Sequence, residues 1–366
     1  MLRKQYLDKL VLLLKEKGLD AMLICPSEEL KFFTGFSPTM CERFQGLFVK
    51  ADGSLFYLSN LLYAGEMRQA FGSEAPVYTW FDCDGMLGPV GKILSEQGLC
   101  GKRIGVNSSA QAFNVLDIGQ ACHIDFVNGK ELLEEVRICK NEDELQRLRE
   151  TAAIASSVFP LVLKFIRPGI KEAQVRDFMF AEMARQGGYN LWAIVGSGPN
   201  SSYPHYNGYD RVLQEGDCIV LDWGCEYKEM QSDISRTVFL GSITPEQREM
   251  YELSLRATLT AERAAVEGAF IPDIDAAARA VLDEKGLAHT LINRCGHGIG
   301  YMVHEGPYIT ACNPRRLERG MCFSIEPGVY LPGRFGMRVE DIVMINLEGE
   351  TEIINTADRE LHVIAC

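Results

Sequence analysis

Two stretches decide how this chain is read: "LQEGDCIVLDWG", Leu213 to Gly224, and "LERGMCFSIEPG", Leu317 to Gly328. Both run leucine, polar residues, glycine, cysteine, a short apolar run, one acid and, one residue on, another glycine. The acid is Asp222 in the first and Glu326 in the second, 104 residues later. Each phrase reads as a buried β-strand that closes on a carboxylate. Four identities in twelve positions prove little by themselves; the order of the surrounding elements carries more. Ahead of the first phrase the pattern predicts a helix from about Glu142 to Phe165, bent at Pro160, and a second from Lys171 to Arg185, closed by Gly187 and Gly188. Ahead of the second it predicts a helix from Pro245, capped by Thr244, to Glu267, and another from Asp273 to Lys285, closed by Gly286. The apolar stripe Val175, Phe178, Met179 and Met183 recurs at an offset of 99 as Ile274, Ala277, Ala278 and Leu282. Helix, helix, strand and acid strand, twice over, predict two halves related by a pseudo-twofold, with the acid strands facing each other across its axis.

Each acid strand leads to a second acid. Asp233 follows Asp222 by eleven residues, and Glu340 follows Glu326 by fourteen. Either span suits two strands joined by a tight connection, with the acids side by side across the pair. Two such hairpins meeting at an axis gather four carboxylates. A quartet of that kind in a low-dielectric interior either protonates or is neutralised by cations, since one unpaired buried ion costs several kcal/mol. Two divalent ions would balance four negative charges, and oxygen ligands with one imidazole suit hard or borderline metals. The imidazole comes from "RCGHGIGYMVHEGPYI", which places His297 between two glycines and His304 seven residues on. His205, in "GPNSSYPHYNGYD", corresponds roughly to His304 in the repeat.

The rest of the chain sets the frame. Its 366 residues are 47% hydrophobic and 24% charged, which is long enough for two soluble domains. A net charge of −13 argues against a nucleic-acid partner. The twelve cysteines contain no CxxC pair, so they read as free thiols of a reducing cytoplasm rather than a disulfide scaffold or zinc site. The N-terminal "MLRKQYLDKLVLLLKEKG" has an apolar run of five residues closed by Lys15, which predicts a short amphipathic helix and no membrane span. Strand signals follow at "DAMLIC", on both sides of Asp52-Gly53, and at "APVYTWF", "KRIGVN" and "HIDFVN". They predict an N-terminal α/β domain over residues 1–134 and a catalytic domain over 135–366.

Asp222 with Asp233, "GHGIG…VHEGP", "SIEPGVY" and "MRVEDIV" together resemble the metallopeptidases of the pita-bread fold, in the prolidase and aminopeptidase P branch with its creatinase-like two-domain architecture. The resemblance covers roughly residues 140–366, and the smaller front domain matches what that branch adds. It implies an α+β class, with the pita-bread repeat behind an α/β domain. It implies that Asp222 is a ligand of one metal, that His297 and Glu326 hold the other, and that Asp233 and Glu340 bridge them. Manganese or cobalt come first for that pair, with zinc or iron(II) as alternatives. Glu326 is then the proton shuttle, and His205 and His304 contact substrate and the tetrahedral intermediate. Arg338 matches an arginine that supports the ligands. The implied activity is hydrolysis of the Xaa-Pro bond in dipeptides or at peptide N-termini, by a homodimer acting on small peptides. The intact ligand set separates the chain from two rivals on the same scaffold, a creatinase-type amidinohydrolase and a non-catalytic binding module; a third, a metal-dependent lyase, keeps the same ligands and differs only in its pocket residues. One departure stands out. Tyr308 occupies the position where prolidase-type members often carry an arginine for the dipeptide's carboxylate, which leaves Arg315, Arg316, Arg319 and Arg334 as substitutes.

Overall fold

The chain's periodicities resolve into the expected mixture of helices and strands. A computed structural model describes residues 2–366, and the chain divides into two units, Met1–Arg137 and Ile138–Cys366. In the first unit α1 (Lys4–Glu16) buries Tyr6, Leu7, Leu10 and Leu14 along one stripe, as an amphipathic helix must. It is followed by β1 (Ala21–Ile24), α2 (Glu28–Thr34), β2 (Gly46–Lys50), β3 (Leu55–Asn60), α3 (Ala64–Phe71), β4 (Val77–Trp80), α4 (Leu87–Glu96), β5 (Arg103–Val106), α5 (Ala112–Cys122), β6 (Asp125–Asn128) and α6 (Lys130–Arg137). The six strands form one sheet in the order β4-β3-β2-β1-β5-β6. β2 and β3 are the antiparallel hairpin expected around Asp52-Gly53, where Gly53 takes φ 89° and Asp52 accepts from the Ser54 amide at 2.8 Å.

The second unit starts with α7 (Glu142–Phe165). Its first turn is a full capping box: Asn141 accepts from the Glu144 amide at 3.0 Å, and Glu144 accepts from the Asn141 amide at 2.8 Å. Pro160 lies inside the helix, which continues to Phe165. Next come α8 (Glu172–Arg185), β7 (Tyr189–Ser197), β8 (Cys218–Tyr227), β9 (Met230–Gln231), β10 (Ile234–Leu240), α9 (Pro245–Ala264) and α10 (Ile271–Asp283). α10 starts two residues earlier than the sequence suggests because Pro272 fits the first turn, where no intrahelical N–H is needed. β11 (Gly296–Gly298), β12 (Glu305–Ile309), β13 (Cys322–Ile325), β14 (Gly328–Leu331), β15 (Phe335–Arg338), β16 (Asp341–Ile345), β17 (Thr351–Ile353) and β18 (Val363–Ile364) complete the unit.

The unit holds two five-stranded sheets. One runs β18-β10-β8-β7 with β9 paired to β8; the other runs β12-β11-β13-β16-β17. In each half the first acid strand lies antiparallel to the strand that follows the second acid, with Asp222 opposite Ser235 and Ile325 opposite Asp341. In the first half the connection is tight, as the spacing suggests: β8 turns through Lys228 and Glu229 into β9, with Tyr227 opposite Met230. In the second half the connecting segments form a separate ladder, β14 with β15. A bridge between Ser235 and Glu340, with the Glu340 amide donating to the Ser235 carbonyl at 3.1 Å, stitches the halves together. The repeated stripes do the packing: Val175, Met179 and Met183 join Ile219, Leu221 and Trp223 in one core, and Ile274 and Ala278 join Phe323 and Ile325 in another. Each such large side chain contributes about 1.5–3 kcal/mol by leaving water, so the acid strands are held between rigid layers.

Candidate metal centre

Strand β8 is buried over nine of its ten residues and carries Asp222 at its middle. Asp233 lies just before β10, Glu326 just after β13 and Glu340 just before β16. All four carboxylates are buried, with 1–8% of their surface exposed. His297 reaches them from β11. Its flanking glycines are required by packing: a Cβ at Gly296 would lie 1.9 Å from the Ser324 carbonyl oxygen, and one at Gly298 would lie 2.1 Å from that of Gly306. The His297 Nε2 atom is 3.3 Å from Glu326 Oε1 and 3.5 Å from Asp233 Oδ2. Ligand atoms of Asp233, His297 and Glu340 all fall within 4.8 Å of one another. All five residues that the sequence singled out as ligands line one cleft, and Asp233, His297 and Glu340 are the three whose ligand atoms cluster.

Supporting contacts fix their directions. Arg338 donates to Asp222, to the Tyr330 hydroxyl at 2.7 Å and to Ser235 Oγ at 2.8 Å. Ser235 Oγ donates to Glu340 at 2.6 Å, and Ser324 Oγ donates to Glu326 at 3.1 Å. Ser235, Ser324 and Tyr330 were not read from the sequence. The only signal for the serines is their spacing, two residues from Asp233 and Glu326 respectively, which in a strand places the pair on one face.

The electrostatics are unbalanced. Four carboxylates face one paired arginine and one imidazole. Burial, with the neighbouring acids adding to it, pushes Asp233 and Glu340 well above the usual carboxylate range, and it pushes Glu326 up to about 7. Burial lowers His297, with His304 adding, so its imidazole is neutral. His297 Nδ1 lies 3.1 Å from the Gly298 carbonyl, an arrangement in which Nδ1–H donates and the Nε2 lone pair faces the acids. Lone pairs facing carboxylate oxygens repel unless a cation or proton lies between them. Asp222 Oδ1, Asp233 Oδ1 and Glu340 Oε1 are buried without a hydrogen-bond partner. Convergent orphan oxygens and an inward-facing imidazole fit divalent cations.

The centre forms part of a cleft of about 830 Å³ that is also lined by His205, His304 and Arg338. The His297 and His304 rings meet edge-on at 4.3 Å, and the His205 and His304 rings lie 6.5 Å apart, 18° from parallel. Both outer histidines are exposed to the cleft. Burial, Arg294 and His205 together lower His304, which leaves its neutral ring one donor and one acceptor. Phe180, Leu191, Trp192 and Ile194 supply apolar wall. The cysteines beside the centre are packing: burial pushes the Cys225 thiol up to about 11 and that of Cys322 up to about 12, the opposite of a reactive thiol.

A duplicated α+β unit with a buried carboxylate–imidazole centre defines a pita-bread metalloenzyme. Metallopeptidase family M24 matches residues 146–346, and the Creatinase/Prolidase N-terminal domain matches residues 7–139. A probable dipeptidase, PepE of Mycobacterium tuberculosis, is 35% identical over 353 residues, covering 95% of this chain and 93% of its own. An Xaa-Pro dipeptidase of Lactobacillus delbrueckii subsp. lactis is 31% identical, covering 98% of both chains. The crystal structure of a prolidase from Thermococcus sibiricus, 29% identical, superimposes with a TM-score of 0.90 over 99% of this chain and 98% of that one. The chain belongs to metallopeptidase family M24 and is a metallopeptidase of pita-bread fold, which implies divalent metal ions and a peptide substrate. No helix among the described residues is long and apolar enough to cross a membrane.

Proposed function

We propose that the protein hydrolyses the Xaa-Pro bond, in dipeptides or at peptide N-termini, with two divalent ions held by Asp222, Asp233, His297, Glu326 and Glu340, manganese or cobalt before zinc or iron(II). The observation that carries this reading is the cluster of Asp233 and Glu340 with His297, in which each acid keeps a buried oxygen without a partner, as does Asp222 on the same cleft. Bound ions of this kind lower the pKa of water towards neutrality and polarise a carbonyl oxygen. The chain's own residues supply the rest. Glu326, on the wall of the cleft beside His297, is placed both to take a proton from water and to return it to the leaving nitrogen. His304 and His205 line the open side of the centre, where a ring N–H can donate to developing negative charge on the substrate. Arg338 holds Asp222 and, through Ser235, Glu340. The amide preceding proline has no N–H, so a site that depends on carbonyl and amine contacts loses nothing there.

The test is a substrate panel with purified protein: Xaa-Pro, Xaa-Pro-Yaa and matched non-proline peptides, each with added Mn²⁺, Co²⁺ or Zn²⁺. Release of the first residue from proline substrates, abolished by chelator and restored by metal, is the expected result. Equal turnover in exhaustively metal-free protein would end the proposal.

A further inference from the structure

Three arginines line the cleft: Arg176, Arg294 and Arg338. Two are engaged. Arg338 is bound to Asp222, Tyr330 and Ser235, and Arg176 pairs with Asp177 at 2.7 Å while lying 4.2 Å over the Tyr209 ring. Arg294 has no ion pair and no hydrogen bond among the described residues. Its guanidinium instead lies 4.6 Å over the ring of Tyr308. The chain reaches this contact where β11 meets β12: Cys295, next to Arg294, donates to the carbonyl of Ile309, next to Tyr308, at 3.0 Å. Both lie close in sequence to the site's histidines: Arg294, just ahead of β11, precedes His297 by three residues, and Tyr308, in β12, follows His304 by four.

A half-buried cation with no counter-ion, on the wall of a cleft whose floor is acidic, asks for an anion brought by the substrate. Aromatic stacking fixes the guanidinium plane and leaves its edge free for a bidentate carboxylate. Arg294 also acts electrostatically on His297, His304 and Glu326, so it lies close to the reacting end. In a dipeptide the chain ends one residue, about 3.5 Å, beyond the scissile carbonyl, and it ends in a carboxylate. In a longer peptide a neutral carbonyl occupies that place. The four downstream arginines point elsewhere. Arg316 donates to the Gly268 carbonyl, Arg319 and Arg334 pair with Glu267 and Glu246, Arg315 approaches Glu318, and none lines the cleft.

We propose that Arg294, held on the face of Tyr308, grips the C-terminal carboxylate of the substrate and thereby makes the enzyme a dipeptidase rather than an aminopeptidase for longer chains. This deepens the peptidase reading given above and rests on it.

The experiment compares kcat/KM for Ala-Pro and Ala-Pro amide, and for Ala-Leu and Ala-Leu amide, in metal-loaded parent, Arg294→Gln, Arg294→Lys and Arg176→Gln proteins. The expected parent favours the free carboxylate over the amide by at least about tenfold. Arg294→Gln abolishes that preference by raising KM for the free dipeptide about 10- to 100-fold, with the amide changed little. Arg294→Lys retains part of the preference, and Arg176→Gln retains all of it. Binding of Ala-Pro to metal-free protein, followed by calorimetry, weakens in the same order. A parent indifferent to the amide overturns the proposal, as does an Arg294→Gln protein that loses dipeptide and amide equally. Cleavage confined to Ala-Leu would sink the proline specificity, while the ratio of Ala-Leu to its amide still judges Arg294.

Discussion

Glu340 and Asp341 are neighbours in sequence, both buried, and they belong to opposite kinds of charge cluster. Asp341 accepts from Arg236 at 2.8 Å and from Arg359 at 2.6 Å, and Arg359 also grips both oxygens of Glu262 at 2.9 and 2.8 Å. Two acids meet two arginines, and Arg236 further donates to the carbonyls of Ser235, Glu340, Ala357 and Asp358. Burial lifts the Asp341 carboxyl, and both arginines pull it back. Across the strand Glu340 has Ser235 on one oxygen and nothing on the other. The balanced cluster holds the fold; the unbalanced one has a deficit of positive charge that bound protons or cations remove. Two adjacent carboxylates thus separate structure from function.

The sharpest way to break this contrast is to neutralise each acid in turn. Glu340→Gln removes one charge from a cluster with too many, and Asp341→Asn removes one from a cluster in balance. We expect Glu340→Gln to lose activity by about a thousandfold or more, while the metal-free protein keeps or gains stability. Asp341→Asn leaves the buried Arg236 short of a counter-charge and the half-buried Arg359 with Glu262 alone, at a cost of about 3–5 kcal/mol, with kcat largely kept in the folded fraction. Hydrolysis assays beside urea denaturation read both quantities. If the two variants destabilise equally, the distinction between the clusters is lost.

A milder probe uses protons in place of mutations. Asp233, Glu326 and Glu340 have folded-state pKa values above their unfolded ones. Each therefore favours the folded state at low pH, and that contribution disappears as pH rises from the ordinary carboxylate range through the raised value, about 7 for Glu326. The chelated protein should melt several degrees lower at about pH 7.5 than at about pH 5.5. Added Mn²⁺ should erase the difference by supplying the missing charge, and Glu326→Gln should reduce it without metal. A melting temperature that rises over this interval in chelated protein would contradict the deficit.

Much of this was legible in the chain, for identifiable reasons. Helix caps at Asn141 and Thr244 are local and formed as read, and the apolar stripes at Val175 and Ile274 found their cores. The acids could be paired because each follows an apolar strand and returns after a span that two strands fill. What escaped was set by tertiary neighbours. The spacing of Glu326 and Glu340 did not show that Gly328–Leu331 and Phe335–Arg338 pair as a sheet of their own instead of extending β13 and β16. Ser235 and Ser324 are ordinary strand serines until the fold puts acids within reach. Arg294 escaped because its meaning depends on two tertiary features, the absence of a polar partner and the position of the Tyr308 ring, neither of which sequence spacing reports.

The smallest effect tests how the centre is aimed rather than charged. Ser235 and Thr237 lie two apart on β10, so their side chains share a face, and both touch Arg338. Ser235 Oγ accepts from the Arg338 guanidinium and donates to Glu340, whereas Thr237 Oγ1 bonds the Arg338 backbone, donating to its carbonyl and accepting from its amide, each at 2.9 Å. Removing either hydroxyl costs about 1–2 kcal/mol of stability through lost buried hydrogen bonds. Only Ser235→Ala also frees a carboxylate of the centre, so kcat should fall about three- to tenfold at unchanged KM, while Thr237→Val leaves kcat within about twofold. Equal kcat losses in the two variants would mean that Ser235 acts through the strand and not through Glu340. The direction of that carboxylate would then have to come from β16 itself.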